Sequence, residues 1–153
     1  MIEVEVSNRQ TALEVDAAEL CAIAEGILRE EGIVSGEISI AVVDDPQIHT
    51  LNRQYLDHDY ETDVLSFVLS HEQDHLIGEV IISADTAIGR CREFDWSPRQ
   101  ELTLYMIHGC LHLVGYRDKS DADQRVMRER ENHYLDRFRL RPQATARKEG
   151  GEP

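Results

Sequence analysis

His108-Gly109-Cys110-Leu111-His112-Leu113-Val114-Gly115-Tyr116-Arg117-Asp118 decides how the rest of the chain is read. With Leu102, Tyr105 and Met106 upstream, Cys110 and Leu113 complete an apolar pattern of helical spacing. A separation of four puts His108 and His112 on one helix face, one turn apart. Two imidazoles need that geometry to grip one metal ion. Cys110 lies off that face and reads as core. Gly115 suits the left-handed residue that ends a helix. Asp118 follows six residues after His112 and offers a carboxylate as a candidate third ligand. Three protein ligands leave the fourth tetrahedral position open to water, the pattern of a catalytic zinc site. The spacing alone also fits a polar stripe or hydrogen-bonded core histidines. Gly109 stands where the zinc-protease signature carries its glutamate, which disfavours protease chemistry of that kind.

Upstream, Ser97-Pro98-Arg99-Gln100 is a helix start, with Ser at the cap, Pro at the first position and Gln three after the cap. Downstream, Ser120-Asp121-Ala122-Asp123 opens a last helix, running through Val126, Met127 and Tyr134 to about Phe138. Toward the N-terminus, Ala84 to Phe94 reads as helix. Val64–Leu69 and His75–Ser83 read as two strands of an antiparallel hairpin across a short polar connection. Asp57–Asp63 is a polar loop that carries His58. Before it, Pro46 begins a short helix with Ile48, Leu51 and Tyr55 on its apolar face. Gly36–Val43 and Ile2–Ser7 read as strands, and Leu13–Glu31 as a helix stopped by Gly32. These elements predict a single domain over 1–140 and a frayed, flexible tail over 141–153.

The chain has 153 residues, 41% hydrophobic and 30% charged, which fits a folded globular domain with one core. No apolar run approaches a membrane span, and Met1-Ile2-Glu3-Val4-Glu5 has no signal-peptide pattern. Three cysteines, Cys21, Cys91 and Cys110, make no disulfide framework. The cytoplasm is the expected compartment. A net charge of −14 argues against indiscriminate nucleic-acid binding. The charge is uneven. Residues 1–89 hold 3 basic against 19 acidic side chains, a net of −16, and residues 90–153 hold 13 against 11, a net of +2. An RNA ligand would therefore meet Arg90, Arg92, Arg99, Arg117 and Lys119 rather than the first half.

The wording around the histidines resembles the YbeY family of bacterial endoribonucleases, whose hallmark is HGxLHLxGYDH. His108, Gly109, Leu111, His112, Leu113, Gly115 and Tyr116 match it. Arg117 stands where the family has Asp, and Asp118 where it has a third His. Leu51-Asn52, Tyr55, Asp59 and Thr62-Asp63-Val64-Leu65-Ser66-Phe67 are similar to the block LNxxYRxxDxPTDVLSFP. Gly78-Glu79-Val80-Ile81-Ile82-Ser83 is similar to its G-D/E-I-x-I-S strand. The likeness departs at Leu56, where an Arg linked with nuclease activity is usual, and at Glu61 and Val68, where prolines are.

The resemblance implies an α/β (α+β) fold, a small mixed sheet of about four strands flanked by helices. The metal site would lie in a cleft at a helix C-terminal end. It implies a single-strand-specific, metal-dependent endoribonuclease of rRNA processing, at the 3′ end of 16S rRNA, and of ribosome quality control. Expected partners are rRNA, the small ribosomal subunit and ribosome-associated proteins, with no membrane. The expected cofactor is one Zn2+ ion per chain on His108, His112 and Asp118, though imidazole and carboxylate suit nickel, cobalt or iron as well. Asp63 and Glu79, within the matching blocks, are candidate catalytic groups or structural hydrogen-bonders. Arg53, one turn before Leu56, is a candidate replacement cation or an ordinary surface arginine. A metallopeptidase-like hydrolase and a non-catalytic, metal-stabilised ribosome-assembly factor are the alternatives.

Overall fold

The computed structural model describes residues 1–56 and 63–140. The expectations for His58, Asp59, Glu61 and Thr62, and for the tail from 141 on, lie outside the described residues. Four strands, β1 (Ile2–Asn8), β2 (Ser35–Val43), β3 (Val64–Glu72) and β4 (His75–Ser83), form one sheet in the order β1-β2-β4-β3. β1 and β2 are parallel, as are β2 and β4, whereas β3 runs antiparallel to β4. The mixed sheet of about four strands is thus present. Among the described residues five α-helices surround it: α1 (Ala17–Glu30), α2 (Asp45–Leu56), α3 (Ala84–Arg90), α4 (Pro98–Leu113) and α5 (Asp121–Arg137). Among the described residues no helix is long and apolar enough to cross a membrane.

Three boundaries differ from the sequence reading by more than a residue or two. α1 starts at Ala17 rather than Leu13, because the Asp16 carboxylate accepts from the Glu19 backbone N–H and caps the helix there. Leu13 and Val15 still pack on the core, which explains their helix-like apolar spacing. The predicted 84–94 helix is α only to Arg90. It tightens into a 3-10 turn over Cys91–Phe94, closed by Asp95 at φ 57°. β3 runs on to Glu72 instead of stopping at Leu69. A bulge between Val68 and Ser70 absorbs one residue, so pairing with β4 resumes beyond it.

The central element is α4. Its capping box is formed, with Ser97 and Gln100 each bonded to the other's backbone. Ten of its residues from Leu102 to Leu113 are buried, on every side, because the sheet, α1, α3 and α5 all contact it. Gly109 faces the sheet so closely that a Cβ would stand 2.5 Å from Val80 Cγ1 and 3.1 Å from Ser66 Oγ. The Ser66 hydroxyl donates to the Gly109 carbonyl at 3.1 Å. This contact leaves no room for a glutamate at position 109, and it sets His108 beside the start of β3.

Candidate metal centre

His108 and His112 project from the last turns of α4. At the helix end Gly115 takes φ 107°, and the chain folds back so that Asp118 meets them. The Nε2 atoms of His108 and His112 lie 3.0 Å apart. Asp118 Oδ2 is 3.1 Å from the first and 3.3 Å from the second. Three donor atoms thus make a nearly equilateral triangle. A tetrahedral ion with ligand bonds of ~2.0–2.1 Å has ligand–ligand edges of ~3.3 Å, so the triangle fits one face of such a site. Two imidazole nitrogens this close also need a proton or a cation between them. Among the described residues this is the one cluster of His, Cys, Asp and Glu with metal-ligating geometry.

Behind the triangle stands a residue that the sequence reading missed. Glu131 of α5 is 4% exposed, and its Oε2 lies 2.6 Å from His108 Nδ1. Nδ1 therefore donates, and Nε2 keeps its lone pair for the ion. Its signal was present in the sequence: Glu131 shares the buried α5 face with Met127 and Tyr134, at separations of four and three. A carboxylate on an apolar stripe implies a buried partner. α5 is itself clamped to α1, with Arg130 2.6 Å from Glu31 and Arg137 2.7 Å from Glu30. Tyr116, from the turn that carries Asp118, donates to the same Glu31 at 2.9 Å.

Burial disfavours a charge on His108, but hydrogen bonds to Asp118 and Glu131 outweigh it, aided by the field of Asp63, and its pKa stands at about 9. The hydrogen bond from His108 holds the Asp118 carboxyl down at about 2, against its burial. Burial and the neighbouring His108 charge push His112 below its usual range. The first two shifts are one ion pair seen from both ends. At neutral pH the metal-free triangle is then His108 protonated, His112 neutral and Asp118 ionised. Metal uptake must displace the His108 proton. One proton should be released per ion, and apparent affinity should rise about tenfold per pH unit from near 7 up to near 9. Calorimetry in buffers of different ionisation enthalpy reads that proton, and no release at pH 7.5 would contradict the assignment.

The remaining candidates separate cleanly. Asp63 immediately precedes Val64, which packs at Gly109, and Arg90 Nη1 lies 3.4 Å from Asp63 Oδ2. Both therefore belong to the neighbourhood of His108. Arg117 and Lys119 flank Asp118 and are exposed, and Arg92 is exposed in the 3-10 turn. Arg99 sits in the first turn of α4, 3.3 Å from Glu19 and 3.9 Å from Asp16, roughly 13 Å along the helix axis from His108. Glu79 is on the opposite face of the sheet. Its strand neighbours Gly78 and Val80 face α4, whereas Glu79 lines a cavity of about 360 Å³ with Glu5, Ser39, Leu51 and Phe67. Arg53 is exposed on α2, whose Ile48 and Leu51 cover that same opposite face.

A family model described as Endoribonuclease YbeY matches residues 5–139. A protein of Salinibacter ruber named Endoribonuclease YbeY is 38% identical over 138 residues, covering 85% of this chain and 88% of that protein. One of the same name from Carboxydothermus hydrogenoformans is 38% identical over 135 residues, covering 86% and 94%. A solution structure of a Thermotoga maritima protein superposes with a TM-score of 0.60 at 26% identity, covering 100% of both chains.

Proposed function

This chain belongs to the YbeY family of endoribonucleases, and from that premise we propose that it is a metal-dependent hydrolase that cuts single-stranded rRNA during ribosome maturation in the cytoplasm. The observation that carries the reading is the triangle of His108 Nε2, His112 Nε2 and Asp118 Oδ2, with edges of 3.0 to 3.3 Å. Its chemistry suits zinc, one ion per chain. When bound, such an ion supplies a Lewis acid for a phosphoryl oxygen and lowers the pKa of its water to ~7.

The chain's own groups do the rest. Glu131 fixes the His108 ring and its tautomer. Asp63, beside His108, is the catalytic candidate placed to take a proton from the attacking group. Arg53 and Glu79, on the other side of the sheet, are left for contacts outside the reacting centre. Arg90, Arg92, Arg117 and Lys119 form the RNA-facing rim, with Arg99 at the far end of α4. We assign catalysis to residues 1–140, with rRNA and the small ribosomal subunit as partners.

A second reading has one observation behind it: Leu56 offers no charge where catalysis would use a cation, as expected of a non-catalytic assembly factor. The peptidase reading loses its footing at Gly109, where a Cβ already collides with Val80. Incubating the pure protein with single-stranded and duplex RNA, with and without chelator, separates the readings. Chelator-sensitive cleavage of the single strand supports the proposal, and metal binding with no cleavage supports the assembly factor.

The carboxylate ligand gives a further expectation. Asp118→Ala should weaken zinc binding about tenfold to a hundredfold, less than loss of either histidine, since water can fill the vacancy. Asp118→His should bind zinc again. Chelator competition measures both, and unchanged affinity in Asp118→Ala would remove Asp118 from the ligand set.

A further inference from the structure

Asp118 is the one corner of the triangle that no helix holds. His108 and His112 belong to α4, which ends at Leu113, and α5 starts at Asp121. Asp118 lies in the connection between them, residues 114–120. The backbone N–H groups of Gly115 and Tyr116 still bond back to the His112 and Leu111 carbonyls, at 3.0 Å each. Beyond Tyr116 the chain leaves α4, and Arg117 and Lys119 are exposed on either side of Asp118. Tyr116 ties this connection to the body of the protein. Its ring packs on the core. Its hydroxyl donates to Glu31 Oε1 at 2.9 Å, across 85 residues of sequence.

Glu31 is itself held from two directions. Its backbone N–H closes the end of α1 on the Ile27 carbonyl at 2.9 Å. Its second oxygen, Oε2, accepts from Arg130 Nη2 at 2.6 Å and from the Tyr134 hydroxyl, both on α5. The side chain is 11% exposed. Burial raises its pKa, but the hydrogen bonds from Tyr134, Arg130 and Tyr116 outweigh burial and hold the carboxyl below its usual range. Tyr116 therefore donates to a carboxylate, the stronger class of hydrogen bond. The two oxygens divide the work: Oε2 belongs to α5 and Oε1 to the connection. Between Arg130 and Tyr134 stands Glu131, which orients His108. One turn of α5 thus backs two corners of the triangle, His108 directly and Asp118 by way of Glu31 and Tyr116.

We propose that Glu31 is a positioning residue of the metal centre: through the Tyr116 hydroxyl it holds the connection that presents Asp118, so that folding rather than metal uptake orders the third ligand. This rests on the reading of the triangle as a metal site. Asp118 is two residues beyond Tyr116, at most ~7 Å of chain. A connection left loose would have to be ordered by the ion, and that conformational entropy would be lost from the affinity.

The test uses the full chain. Tyr116→Phe removes the hydroxyl and keeps the ring, and Glu31→Gln keeps the shape and removes the charge. Each is made alone and together with Asp118→Ala. Zinc affinity is read by chelator competition, and the melting temperature of the stripped protein is measured alongside. With Asp118 present, Tyr116→Phe should weaken zinc binding about tenfold at a nearly parental melting temperature. Glu31→Gln should weaken it as much and also lower the melting temperature, because it loosens the bond to Arg130. With Asp118→Ala, neither change should alter zinc affinity by more than about twofold, since the ligand it acts through is gone. Equal losses with and without Asp118 overturn the proposal, because they mark a general loosening of the fold. Parental zinc affinity in either single variant overturns it as well. If Asp118→Ala alone binds zinc like the parent, Asp118 is no ligand and the proposal falls with that assignment. Cleavage of single-stranded RNA is followed in parallel. A parent that holds zinc but cuts no RNA sinks the nuclease reading and leaves the zinc affinities to decide on Glu31, whereas a parent that binds no zinc overturns both.

Discussion

Replacing His112 by alanine is expected to abolish tight zinc binding, lowering affinity by more than about a hundredfold, because two remaining protein ligands do not hold the ion against water. His108→Ala should lose the metal equally but should also destabilise the metal-free fold. Its imidazole is the partner of Glu131, whose side chain is 5% exposed. Leaving that buried carboxylate without its close partner, with only the Arg128 guanidinium 4.0 Å from its other oxygen, costs about 2–3 kcal/mol. His112 has no such buried charge behind it. The two variants should therefore match in zinc content and differ in melting temperature. Zinc retained by either at the parental level would remove it from the ligand set.

The second large effect concerns a residue that never touches the ion. Glu131→Gln keeps the shape of the side chain and an acceptor for Nδ1–H, but removes the charge that favours Nε2 as the ligand atom. Losses of about tenfold to a hundredfold in metal affinity are the usual scale for such outer partners. The pH dependence of uptake should change as well. Glu131 is one of the groups that raise His108. Without it the imidazole deprotonates at lower pH, so the steep rise in affinity should end below pH 9. A merely structural role for Glu131 would shift the melting temperature and leave the pH profile of metal uptake unchanged.

Local signals were the legible ones. The capping box of Ser97 and Gln100, the four-residue spacing of the histidines, the Gly115 turn and the β3–β4 hairpin each depend on residues close in sequence. The hidden features are non-local. The parallel pairing of β2 with β4, which makes β4 an inner strand and leaves β3 at the edge of the sheet, has no local signature. Glu131 reaches His108 across 23 residues. The face of Glu79 could have been taken from period-two alternation against Val80, once α4 was known to cover Val80. The start of α1 is hidden in the sequence because Leu13 and Val15 are apolar for packing rather than for helix formation. Arg99 belongs to the basic half of the chain by composition, yet Glu19 of α1 and the cap residue Asp16 hold it at the far end of α4.

One titration tests the central claim most directly. The protein is stripped with chelator, zinc is added back in known amounts, and single-strand RNA cleavage is measured against ions bound, with His112→Ala in parallel. Cleavage absent from the stripped protein, rising in proportion to bound zinc and saturating at one ion per chain, with none in His112→Ala, is the predicted result. Cleavage that persists in the stripped protein, or that His112→Ala retains, would contradict the account.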